Sequence, residues 1–169
     1  MATSEKDTVF FSKMKYSGIF SYSGFYAFAH DWISEEMGLT VKEGKYSEKI
    51  KGDSKEVEFE WGCDKEVTDY FKVEMSVVVK VNPLKNVEVN QGGKKISTNN
   101  GSVEIKVKGV LIKDYDGKFE GTAFKKFMRS VYEKWIIPSK IDEISGKFAG
   151  DCDEFLGQSK AYLDLEGKR

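Results

Sequence analysis

Histidine is almost missing from this chain, which carries one, His30, in 169 residues. A single imidazole among scattered carboxylates is a poor set of metal ligands, and as a catalyst it would need a partner brought from elsewhere in the fold. Asp31 follows it, but neighbours on a helix point in different directions and form no ready-made couple. Cysteine is equally sparse: Cys63 and Cys152 are far apart and fit neither metal-type nor redox-type spacing, so free intracellular thiols are expected. The two prolines argue against long linkers. Net charge is also lacking, with 27 basic against 28 acidic side chains and a formal charge of −1. That removes the global attraction to phosphate on which non-specific nucleic-acid binding depends, so no nucleic-acid partner is favoured. No apolar run approaches the ~18 residues of a membrane span. The opening MATSEKDTVF has no basic region followed by an apolar one. The expectation is a soluble, cytoplasmic protein with no membrane span.

Reactive motifs are missing too. There is no Gly-x-Ser-x-Gly elbow and no Cys/His nucleophile arrangement, and no carboxylate pair stands out for acid–base work. Asp114, Asp116 and Glu120 in KDYDGKFEG lack the full calcium-loop order and read as a strand-to-helix turn. Gly92-Gly93-Lys94-Lys95 lacks the phosphate-loop order and a following helix. It reads as a hairpin tip whose lysines suit an acidic partner. No catalytic residue, metal site or cofactor is therefore assigned, and the chain is expected not to be an enzyme.

What is present is core material. Apolar residues make up 40%, charged residues 33% and aromatics 14% of the chain, a globular composition that fits one domain over residues 1–169. Its spine is Asp69 to Leu84, DYFKVEMSVVVKVNPL, where Phe71, Val73, Met75, Val77, Val79 and Val81 alternate with a largely charged set. Only a period of two sorts them into two faces, so this is a long half-buried strand. Residues 8–16 predict a first strand, after a short polar lead-in over Met1 to Asp7. Residues 45–51 and 55–61 predict a hairpin about Gly52-Asp53-Ser54, with Val57, Phe59 and Trp61 facing inward. Pro83 is expected to end regular pairing. A small hairpin over residues 87–98 follows, then a second turn at Asn99-Asn100-Gly101 leading into a last strand with Val103, Ile105, Val107 and Leu111 on one face. Glutamates and lysines on the other faces bias the register by roughly 0.2–1 kcal/mol for each opposite pair.

Two regions change period. Phe25, Phe28, Ala29, Trp32 and Ile33 recur at helical spacing, with Ser23 as N-cap and Gly38 as stop, giving an amphipathic helix of about three to four turns. Thr122 opens another with Phe124, Phe127, Met128, Val131 and Trp135 as an apolar stripe, ending before Pro138. Ser139 caps the last helical stretch, whose apolar face runs from Ile141 to Leu163. Gly146 and Gly150 leave open whether it is one bent helix or two.

These elements predict an α+β fold: an antiparallel meander sheet of about five to seven strands, an N-terminal β-α unit, and C-terminal helices packed on one face. The order DYFKVEMSVVVKVNPLKNVEV, then NGSVEIKVKGVLIKDYDGKFE, then AYLDLEG resembles uncharacterised small archaeal proteins of unknown function over most of the chain. The resemblance implies a cytosolic archaeal setting and brings no activity, cofactor or binding residue. The functional expectation is a non-enzymatic protein-interaction or structural module, with a protein partner or self-association. Val78, Val110 and Ile112, the apolar residues on the supposedly wet face, form its candidate partner patch. The alternative is a small apolar-ligand carrier with a pocket between the first helix and the sheet, lined by Phe25, Phe28 and Trp32.

Overall fold

The computed structural model describes residues 5–115, 122–132, 134 and 138–167. Asp116, Glu120 and Trp135, together with the first four residues of the polar lead-in, lie outside the described residues. The elements run β1 (Glu5–Phe20), α1 (Tyr22–Asp31), β2 (Thr40–Lys51), β3 (Ser54–Glu66), β4 (Phe71–Gln91), β5 (Lys94–Lys113), α2 (Ala123–Val131) and α3 (Pro138–Gly167). α1 continues into one π-helical turn, Trp32–Glu36, and Gly38 then takes a positive φ of 69° that turns the chain into β2.

One antiparallel sheet of five strands has the order β1-β5-β4-β3-β2. β2 to β5 form a meander, while β1 and β2 occupy opposite edges, so α1 carries the chain across the whole sheet. The alternation in β4 is realised directly, with Phe71, Val73, Met75, Val77, Val79 and Val81 all buried. Register stacks Trp61, Val77 and Val107 in one row, and Phe59, Val79 and Ile105 in the next. α1 and α3 cover this apolar face. From α3 come Ile144, Phe148, Cys152, Phe155, Leu156, Ser159 and Leu163, at steps of one, three or four residues. The helix is continuous, Gly146 and Gly150 included.

Three expectations about the strands need correction. Pro83 interrupts pairing without ending it: the β4–β5 register shifts between Val81 and Leu84, then runs on to Gln91↔Lys94. The segment Asn99-Asn100-Gly101 is strand interior, paired to β1 and β4 on its two sides. Its polar side chains serve cross-strand bonding: Asn99 Nδ2 donates to Asn86 Oδ1 at 3.0 Å, and Asn99 Oδ1 accepts from the Tyr22 backbone N–H at 2.9 Å. Between β4 and β5, turn chemistry falls at Gly92 and Gly93, where φ is 60° and 82°. The two expected hairpins thus merge into one long hairpin, which keeps the strand count at five.

α2 differs most from its pattern. Thr122 does cap α2, its hydroxyl accepting from Lys125 N at 3.1 Å. Phe124, Phe127 and Met128 nevertheless face outward, and no side chain of α2 joins the main core.

Candidate functional site

Phe25, Phe28 and Trp32 do not converge on one cavity. Phe25 is fully buried in the core. Phe28 stacks on Tyr162 of α3, with centroids 4.5 Å apart and planes 11° from parallel, while Trp32 tilts against Phe28 at 6.0 Å. Phe25 thus anchors α1 to the sheet, Phe28 binds it to α3, and Trp32 packs against Phe28 at the margin of the core. The other flank of α1 carries a polar aromatic network that the helical stripe did not reveal. Tyr26 sits edge-on to Phe59 and Trp61 and donates to Glu43 at 2.6 Å. Tyr22 and Tyr46 share a hydroxyl contact of 3.1 Å, and Tyr46 donates to Glu48 at 2.9 Å. Burial first, then the bond to Glu43, pushes the Tyr26 phenol up to about 12. Tyr22 and Tyr46 are raised chiefly by burial as well. The signal for this network was Tyr22 and Tyr26 at i, i+4, a second stripe beside the first.

The cleft that does lie between helix and sheet is elsewhere, at the start of α3. Val67, Val73, Ile144 and Phe148 line a space of ≈140 Å³, with Lys140 and Lys147 at its rim.

On the outer face of the sheet, register keeps Val78 apart from Val110 and Ile112. Val78 opposes Lys106, whereas Val110 opposes Glu74, four positions further along β5. Ile112 is buried, opposite Lys6 on β1, and the Lys6 amine reaches Glu74 at 3.9 Å, spanning β5. Val110 lies instead in a shallow depression of ≈460 Å³ with Lys6, Lys42, Asp64, Glu74 and Lys108, over Gly62 and Ser76. Asp64 and Glu74 oppose one another as like charges, and each takes a lysine from an edge strand, Lys42 at 3.1 Å and Lys6 at 3.9 Å. Exposed pairs of this kind contribute about 0–1 kcal/mol and serve register.

The candidate nucleophiles have structural occupations. Burial, with Asp64 beside one and Asp151 beside the other, pushes the Cys63 and Cys152 thiols up to about 12. Cys152 Sγ donates to Met75 Sδ at 3.7 Å. His30 Nδ1 stands 3.9 Å from Asp31 Oδ1, too far for a hydrogen bond, and its ring lies edge-on to Trp61. Among the described residues, no three His, Cys, Asp or Glu side chains are gathered where they could hold a metal ion.

Among the described residues, α2 is the one element whose orientation opposes its sequence pattern. At about 100° per residue, Phe127, Val131, Phe124 and Met128 share one arc, while Lys125, Lys126 and Arg129 fill the rest. A packed helix turns the first set inward. Here Phe124 is 71%, Phe127 63% and Met128 42% exposed, whereas Arg129 is 8% exposed. Next to it, Tyr132 meets Tyr70 edge-on at 5.4 Å and joins the margin of the core.

No family model, curated protein or solved structure matches this chain. Any function must therefore be argued from these features alone.

Proposed function

We propose that the chain is a non-enzymatic interaction module that meets its partner through the outward apolar face of α2. The observation that carries this is the inversion just described: three large apolar side chains in water while an arginine of the same helix is buried. Exposed apolar surface of this kind costs solubility unless something covers it. Its position off the main core means a partner can take it without disturbing the sheet. The expected contact surface thus moves from Val78, Val110 and Ile112 to Phe124, Phe127 and Met128. A cytosolic archaeal setting belongs to the same proposal and rests on the three stretches named above.

The test is a photo-crosslinking residue in place of Phe127, with Lys160 on the exposed side of α3 as control, in cells expressing the full chain. A reproducible adduct at position 127 that disappears with Phe124→Ser supports the module. Equal labelling at both positions contradicts it.

The carrier reading keeps one specific observation, the apolar-floored cleft of ≈140 Å³ at the start of α3. Ligand sites usually occupy about 300–1,000 Å³, so the cleft suits only a small guest and ranks second. A retained small molecule in native mass spectra of the purified chain, lost on Ile144→Trp, is the result that reading requires.

A further inference from the structure

We propose that the surface covering α2 is an anionic lipid interface, so that the chain docks on membranes as a peripheral protein; this rests on the interaction role of α2 proposed above.

Charge supplies the first argument. α2 contains Lys125, Lys126 and Arg129 and no acidic residue. From residue 122 to 140 there are five cations and one carboxylate, in a chain whose formal net charge is −1. The exposed apolar residues therefore sit in the positive part of an otherwise acidic molecule. A short helix with aromatic residues on one arc and lysines on the other is the pattern of a segment lying in the plane of a bilayer surface. With the Phe124 face down, Lys125 borders the apolar arc beside Met128 and sits at headgroup level. Lys126 and Lys134 are exposed, and their long stems let the amines reach lipid phosphates. Among the described residues no helix is long and apolar enough to cross a membrane.

Area supplies the second. A nine-residue helix is only about 13–14 Å long, and its exposed apolar arc holds three large side chains. A stable protein interface buries about 800 Å² on each partner, more than this arc offers to a second copy of the chain. A bilayer needs no complementary groove. It takes up a few aromatics while each nearby cation adds attraction to anionic headgroups.

The experiment is co-sedimentation of the full chain with phosphatidylcholine vesicles, with and without phosphatidylserine, at low and high salt. Binding is expected on the anionic vesicles and should be at least about tenfold weaker on neutral ones. High salt should reduce it through screening. Phe124→Ser/Phe127→Ser and Lys125→Glu/Lys126→Glu should each weaken it at least about tenfold, with the urea midpoint of unfolding unchanged. No binding to anionic vesicles at low salt overturns the proposal, as does binding that neither variant weakens. If the wild type ignores vesicles but self-associates in sedimentation velocity, and Phe124→Ser/Phe127→Ser abolishes that, the lipid assignment falls while the interaction role stands. If it does neither and the crosslink at position 127 is also negative, both fall.

Discussion

Gly109 sets how closely α3 can approach the sheet. A Cβ there would stand 3.1 Å from both Cys152 Sγ and Phe148 Cε2, inside the packed core. Gly109→Ala should therefore lower stability by about 1–3 kcal/mol in urea unfolding. Gly62 lies in a strand on the wet face with nothing within 4 Å of a Cβ, so Gly62→Ala should be neutral or gain about 0.5–1 kcal/mol. Equal effects would contradict the close approach. The thiols make a second residue-scale case. Both are buried and pushed up to about 12, so at pH 8 neither is a thiolate. Ellman's reagent should titrate no thiol in the native chain and two after unfolding; rapid native labelling of either would contradict their placement. Neither Gly109 nor the thiol environment was legible in the sequence. Both depend on which turn of α3 crosses which residue of β5, and no local pattern encodes that crossing.

Among the elements, legibility followed the strength of the local pattern. β4 declared itself because six apolar residues at period two admit no other regular structure. The cap at Thr122 and the stop at Gly38 were equally plain, whereas α1 is capped by Ser21, whose hydroxyl accepts from Gly24 N, with Ser23 inside the helix. Asn99-Asn100-Gly101 misled because turn propensity is local, whereas β5 is held on both edges, and Asn99 bonds to Asn86 and to the start of α1. α1 is fastened to β2 through Tyr22, Tyr26, Tyr46 and the two glutamates. Burial favours their neutral phenols, so the folded values lie above the unfolded value of about 10. This contribution to stability is complete below pH 10 and is lost as pH rises from 10 towards 12 and beyond. Urea midpoints should fall over that interval. Absorbance at 295 nm should show a group of the eight tyrosines ionising only as the chain unfolds. Simultaneous titration of all of them near pH 10, with no loss of structure, would contradict the α1–β2 network.

At the scale of the molecule, the α+β class and the antiparallel sheet followed from the sequence, because alternation and helical spacing occupy separate stretches of it. The candidate site did not. The stripe Phe124, Phe127, Met128 looks the same in sequence whether it faces a core or a partner, since amphipathic spacing defines a face without saying what lies opposite. The inner face of the sheet is already covered by α1 and by α3, whose Phe148, Cys152 and Phe155 are buried. α2 lies off that core and presents its apolar arc outward. The most direct measurement of this arrangement is urea unfolding of Phe124→Asp/Phe127→Asp beside Phe155→Ala. Phe155→Ala removes a fully buried ring and should cost about 3–5 kcal/mol. The α2 variant should stay within about 1 kcal/mol of wild type, as exposed substitutions do. A loss of about 4 kcal/mol or more in the α2 variant would mean that this face is core, and would contradict its role as the surface offered to a partner.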